Sequence, residues 1–302
     1  MIEPKTISKL AQIASVLEVS GYPKPGNVHR TRDFDDMVFE DFLISGIVIG
    51  DTIEKAASQV LINNNPEDAE IGKYILEAVR ETDKWISNNT NLGIVMMLTP
   101  IAISAAISDN MEELRENIGV LMENTTVEDA INLYDAINIA DAGGMGDQED
   151  YDVAGANAKE ELRQNNQTMW DVLKISAEWD DLGGELTSKM PIVFEIGYPT
   201  FYKLKKTNSI NRASVLTFLT ILSQVPDTLI RRKYGQEKAE EVSKKVKDLL
   251  EFKDSGNFKG DVSDFDDLLF NNKRNPGTTA DLTAASIMLS FLAEEYDKQL
   301  LK

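Results

Sequence analysis

"FEDFLISGIVIGDTIEKAASQVLI", residues Phe39 to Ile62, decides the fold class. Its apolar residues recur at three-and-four spacing, the period of one face of an α-helix. "TISKLAQIASVLEVS" before it keeps the same period, and so does most of the chain after it. "NPEDAEIGKYILEAVRETDKWIS" opens with Asn65 as cap, Pro66 at the first helical position and acids in the first turn. Thr125 and Glu128 have capping-box spacing ahead of "INLYDAINIA". Further helices are expected near 158–182, 187–206, 210–234, 236–252 and 279–301, with Gly235 as a stop. Sustained β alternation is almost absent, "PIVFEIGY" being the one tempting piece, and no 20–50-residue repeat is visible. The expectation is an all-α bundle of about ten or more helices, residues 1–302 forming a single catalytic domain.

Composition narrows the function. The 302 residues carry a formal net charge of -20 and contain no Cys and one His. A sequence-independent nucleic-acid binder needs a basic face, so that class is set aside. Without Cys there is no disulfide, thiolate metal site or thiol nucleophile, and any metal must sit among oxygens, as Mg²⁺ does. The longest apolar run, Leu92 to Ile107, is shorter than the roughly 20 residues that span a bilayer and contains Thr99, Pro100 and Ser104. It reads as a helix buried on most sides. No signal-peptide core is visible in "MIEPKTISKL", and a cytoplasmic location without membrane partners is expected. The chain is compatible with a homodimer.

Polar breaks are expected at Ser20–Asp35, Asn88–Asn91, Asp141–Gly155, Asp254–Asp264 and Asn271–Thr279, and a site should lie where several converge. In "YPKPGNVHRTR", Gly26 permits close approach, and Lys24, His29, Arg30 and Arg32, with Asn27, could gather on phosphate oxygens. The same residues also suit a plain loop of solvated charges. If a helix starts near Asp35, Asp36 and Glu40 share a face one turn apart and could hold Mg²⁺; the alternative is an acid-rich helix start. Asn89 and Asn91 either cap the apolar helix or contact ligand. Glu195, set among apolar residues, is a candidate acid, base or metal ligand, or else a surface Glu beside a turn. Asp227 lies four residues before Arg231, the spacing of a surface ion pair. Thr278 or Thr279 opens the last helix, whose amides could hold an anion and whose Asp281 could hold a metal.

The ordered set "EVSGYPKPGNVHR…DM", "NTNLG", "EIGYP", "DTLIRRKYG" and "NPGTTADL" resembles the triphosphoribosyl-dephospho-CoA synthase family, over about residues 18–282. The resemblance implies an all-helical enzyme that moves the triphosphoribosyl group of ATP to dephospho-CoA and releases adenine. It points to Lys24, Gly26, Asp36, Asn89, Glu195, Asp227 and Asp281 as site positions. The chain departs from the bacterial pattern at Asn91 and Leu92, where a His and a Lys are usual, at Val193 in place of a Glu, and at Tyr234–Gly235. It thus resembles a divergent, archaeal-type branch, whose acceptor is dephospho-CoA or another coenzyme precursor.

With ATP as donor substrate, the expected assignment gives Mg²⁺ to some of Asp36, Glu40, Asp227 and Asp281. Lys24, Arg30 and Arg231 then meet phosphates, as does His29, and Glu195 activates the acceptor or steadies the ribosyl cation. The competing classes are an all-α Mg-dependent hydrolase of a nucleotide or ADP-ribosyl bond and a non-catalytic nucleotide-binding protein.

Overall fold

The computed structural model describes residues 1–63, 68–86, 88, 90–140, 153, 155 and 157–300, apart from the side chains of 63 and 300. In chain order the helices are α1 (Pro4–Val19), α2 (Phe39–Val48), α3 (Gly50–Asn63), α4 (Ile71–Asp83), α5 (Leu92–Ala106), α6 (Met111–Glu123), α7 (Val127–Ala140) and α8 (Ala158–Gln164). There follow α9 (Met169–Ser176), α10 (Asp181–Thr187), a single π turn (Val193–Gly197), α11 (Tyr198–Leu204), α12 (Ile210–Gln224), α13 (Thr228–Tyr234), α14 (Gln236–Glu251), α15 (Phe258–Asn271) and α16 (Gly277–Leu300). Among the described residues the one β feature is an isolated bridge between His29 and Arg32. The fold is all-α.

The opening run is two helices rather than one. At their junction α1 intrudes: Ser8 donates to the Gly50 carbonyl at 2.6 Å and Gln12 to the Ile47 carbonyl at 2.7 Å. Side chains that take carbonyls from the helical ladder bend or break it. Breaks also fall inside three expected helices, at Asn165–Thr168, Ser188–Met190 and Val225–Asp227, the last beside Pro226. Asn166, Lys189 and Met190 take positive φ at two of them. The expected break at Asp254–Asp264 is helical from Phe258, because Phe258, Val262, Phe265 and Leu269 form a buried stripe under the acidic face. "PIVFEIGY" is helical too. The capping box lies one residue later than Thr125–Glu128: Thr126 and Asp129 exchange backbone hydrogen bonds at 2.8 and 3.1 Å. Asn65 and Pro66 lie outside the described residues.

α5 is the centre of the fold. All its residues except Gly93 are buried, as the absence of any charge in its sequence requires. α3, α4, α6 and α16 pack around it, and α4 lies along α7. Buried apolar residues form a large cluster around α5 and a smaller one of α12–α15. α16 joins them: Ala280 belongs to the smaller cluster and Leu282 to the larger. No single helix among the described residues is long and apolar enough to cross a membrane.

One buried carboxylate serves this scaffold. Glu185 of α10 accepts from the Ile192 and Val193 N–H groups at 2.8 and 2.9 Å and so ties down the start of the π-turn segment. Burial pushes its pKa up to about 8 against those two donors. Its folded pKa therefore exceeds its unfolded value, and the folded state holds the extra proton between them. Stability should fall by about 1.4 kcal/mol per pH unit from about pH 5 to about pH 8 through this group. Urea unfolding across that range measures it, and in Glu185→Gln this part of the slope should vanish.

Candidate active site

The loop between α1 and α2 is held by carboxylates. Lys24 is buried, with Nζ 2.5 Å from Glu18 Oε1 and 3.3 Å from the Glu18 carbonyl. His29 is buried with Nε2 3.0 Å from Asp266 Oδ2. Arg32 donates to the same oxygen at 2.9 Å and also pairs with Asp267. Arg30 wraps the Ser20 carbonyl and donates to Asn211 Oδ1 at 2.9 Å. The four cations expected to gather on phosphate thus all have protein partners. For Lys24, His29 and Arg32 the reason is proximity: α15 and the end of α1 bring acids against the loop before any ligand arrives. Burial disfavours charge on Asp266, yet His29, the Gly26 N–H and Arg32 together hold its pKa below the usual carboxylate range.

Gly26 is the closure of that latch. It has φ +71, donates its N–H to Asp266 Oδ1 at 2.9 Å, and a Cβ there would lie 2.3 Å from the Arg274 carbonyl oxygen. Gly26→Ala is expected to destabilise the protein by about 2 kcal/mol through φ strain and this clash, read as a lower urea midpoint at unchanged slope.

A cavity of about 510 Å³ opens beside the latch. Its polar wall contains Glu18, Asn27, Asp36, Asn91, Asp180, Arg232, Lys233, Thr278 and Asp281. The rest of its lining is largely apolar, including Leu133 and Ile137 on α7, Val172 and Leu173 on α9, and Trp179. Two helices begin at the polar wall, α5 at Leu92 and the 24-residue α16 at Gly277. Their first N–H groups carry the positive end of the helix dipole, a natural seat for anions. Among the described residues, two buried side-chain atoms near it have no hydrogen-bond partner: the Thr90 hydroxyl, just before α5, and Arg232 Nε. Such orphans suit a site that a ligand completes.

The structure brings together part of the expected set. Asn27 lines the cavity and donates to Asn275 Oδ1 at 2.9 Å. Asn91 lines it at the cap position of α5 but does not cap; it donates to Thr82 Oγ1 at 2.8 Å instead. Thr278 lines it and meets the Thr228 hydroxyl at 3.0 Å. Asp36 stands exposed at its rim. Asp281 makes no hydrogen bond among the described residues; burial pushes its pKa well up, and Glu18, Asp180 and Asp227 add to that push. The α5 helix approaches it closely, since a Cβ on Gly93 would fall 2.1 Å from Asp281 Oδ2.

Other expected residues are elsewhere. Asp227 is buried and occupied: Oδ1 caps α13 through the Ile230 N–H at 3.0 Å, and Oδ2 accepts from the Thr279 N–H and hydroxyl, both at 2.8 Å. That fixes Thr279 as well. α2 begins only at Phe39, so Asp36 and Glu40 do not share a helical face, and Glu40 is absent from the cavity wall. Arg231 lies off the wall, where its charge acts on Asp181, whose pKa burial pushes up to about 6. Glu195 is not the interior carboxylate: the π turn buries Val193, Phe194 and Gly197 and turns Glu195 outward, 2.6 Å from Arg115 Nη2. Asn89 lies outside the described residues.

Glu18, Asp180, Arg232 and Lys233 line the cavity without having been expected there, although Glu18, Arg232 and Lys233 lie inside the motifs quoted above. Asp180 caps α10 through the Leu182 N–H at 3.2 Å and pairs with Arg232 Nη1 at 3.2 Å. Among the described residues no three His, Asp or Glu side chains form a ready metal cage.

The sequence model of the CitG family, ATP:dephospho-CoA triphosphoribosyl transferase, matches residues 4–299. The chain belongs to that family. As a CitG-family transferase it shares its fold with a provisionally named triphosphoribosyl-dephospho-coA synthase from Archaeoglobus fulgidus, known from a crystal structure. The TM-score is 0.64 at 23% sequence identity, covering 83% of this chain and 97% of that one. No curated protein matches it. The CitG assignment agrees with the motif resemblance over nearly the whole chain and makes the protein an enzyme of coenzyme biosynthesis.

Proposed function

We propose that the cavity binds ATP with its triphosphate at the N-termini of α5 and α16, and moves the triphosphoribosyl group to a hydroxyl of dephospho-CoA or a related coenzyme precursor. The observation that supports this most is the paired helix starts, facing one cavity beside Arg232, Lys233 and the Thr90 hydroxyl, which has no partner among the described residues. Adenine leaves from C1′ as the acceptor oxygen arrives, and positive charge grows on the ribosyl ring. Carboxylates on the wall stabilise that charge, while backbone N–H groups and Arg232 hold the phosphates. The apolar wall suits a base ring or the uncharged parts of an organic acceptor and keeps water from competing.

The wall carries four carboxylates, Glu18, Asp36, Asp180 and Asp281, against two cations. A bare triphosphate would meet repulsion there, so a divalent ion fits the donor set. Magnesium takes one or two carboxylates and completes its shell with phosphate and water. Asp281, whose carboxylate has no hydrogen-bond partner among the described residues, would hold it, with Asp36 at the rim. When bound, the ion neutralises phosphate charge and orients the chain of phosphates.

The test is incubation with ATP, Mg²⁺ and dephospho-CoA, followed by mass spectrometry. A conjugate heavier by one triphosphoribosyl unit, with one adenine released per conjugate, is expected. Free ribose triphosphate without conjugate would instead indicate a hydrolase, and ATP binding without adenine a non-catalytic protein.

A further inference from the structure

We infer that Glu18 is the catalytic base that takes the proton from the acceptor hydroxyl, with Lys24 as the cation that positions it; this rests on the transferase reading above. Four carboxylates line the cavity within the described residues, and three are unsuited to the task. Asp180 has both oxygens engaged, one by the Leu182 N–H and the Thr228 hydroxyl, the other by Arg232. Asp36 is exposed in a loop, and among the described residues its side chain makes no hydrogen bond that would aim it. Asp281 is the carboxylate that the reading above gives to the divalent ion, which leaves it unavailable to the acceptor proton.

Glu18 differs on each point. It stands on the last turn of α1, a helix that packs on both α5 and α16, whose starts form the proposed phosphate seat. Lys24 holds Oε1 at 2.5 Å, and Oε2 has no hydrogen bond among the described residues. One oxygen is thereby anchored and the other left free on a carboxylate that lines the cavity. The pair is almost wholly enclosed, each side chain 2% exposed. A buried ion pair is a poor way to stabilise a fold, and one at a cavity wall is an economical way to position a base. Burial pushes Glu18 toward its neutral form, and Lys24 acts against that.

In the step itself the acceptor oxygen bonds to C1′ as the C1′–N9 bond breaks. The bonding pair leaves with adenine, which takes a proton from solvent. The acceptor proton passes to Glu18 and then to solvent, so the sum is ATP plus alcohol giving an O-linked triphosphoribosyl glycoside plus adenine.

The test compares the wild-type protein with Glu18→Gln/Lys24→Met and Glu18→Asp, measuring melting, Mg·ATP affinity by calorimetry, and transfer to dephospho-CoA. The double variant removes both charges, so neither is left alone. It should melt cooperatively and bind Mg·ATP within about 3-fold of wild type, while kcat for transfer falls by about 100-fold or more. Transfer within about 10-fold of wild type, or a loss explained by lost ATP binding, overturns the assignment. If the double variant does not fold, Glu18→Asp decides. Drawing the carboxylate back by one methylene should lower kcat by about 10-fold at unchanged Mg·ATP affinity, and unchanged kcat overturns the role. A wild-type protein that forms neither adenine nor conjugate defeats the transferase reading itself, an outcome distinct from an active wild type with active variants.

Discussion

Asp281→Asn should lower adenine release from ATP by about 100-fold or more while leaving the protein at least as stable as before. The two halves have one cause. Asp281 lies deep at the cavity wall, has no hydrogen bond among the described residues, and has like charges nearby at Glu18, Asp180 and Asp227. Its folded pKa is raised, so above the ordinary carboxylate range the unfolded state binds fewer protons than the folded one. Stability is then lost as pH climbs toward the raised value, and a neutral amide removes that loss. Function loses what stability gains, because an amide is a much weaker partner for a cation than a carboxylate. Two measurements separate the effects. Thermal melting at pH 7 should give an unchanged or higher Tm for the variant, and the rise in Tm that Mg·ATP gives the wild type should disappear. Adenine release above a tenth of the wild-type rate would sink the assignment.

The second large effect is on the fold. Glu18→Gln or Lys24→Met alone should cost about 3–5 kcal/mol, since each leaves a buried charge without its partner. Glu18→Gln/Lys24→Met should recover most of this loss, giving a coupling energy of at least about 2 kcal/mol in a double-mutant cycle. Equilibrium denaturation of the four proteins supplies the numbers. Single variants that each cost under about 1 kcal/mol would mean that the pair is held in its uncharged form, since an uncharged pair loses only an ordinary hydrogen bond. Burial pushes Lys24 down and Glu18 up, which is the direction such a result would take, while each partner's charge opposes the shift of the other.

Much of the scaffold was legible because periodicity and punctuation are local. α5 announced itself by fifteen residues without a charge, and Gly235 stops α13 at φ +90. α15 was hidden because Gly256, Gly260 and a run of Asp crowd a stripe of only four apolar residues. The site was legible in part, for a related reason. Asp281, Thr278, Asn27 and Asn91 sit in motifs that mark helix starts or tight loops, and those starts do face the cavity. The basic loop misled because sequence shows cations but not the acids that fold against them; Asp266 is over two hundred residues away from His29. Glu195 misled because a π turn shifts the helical phase, so an apolar neighbourhood in sequence became an outward position. Glu18 carried a usable signal: it continues the buried face of Ile7, Ala11 and Ala14, and a carboxylate on such a stripe needs either a partner or a task.

α16 crosses from one apolar cluster to the other within three residues, Ala280 to Leu282, and Asp281 is the residue between. The proposed chemistry is therefore mounted on a seam. Any breathing that parts the α12–α15 lobe from the rest pulls the wall away from its contents, and a nucleotide that spans the seam acts as a rivet across it. Turnover and the opening of that seam then share one mechanical element, so a change far out on α14 that loosens the smaller cluster reaches the reacting atoms without touching them.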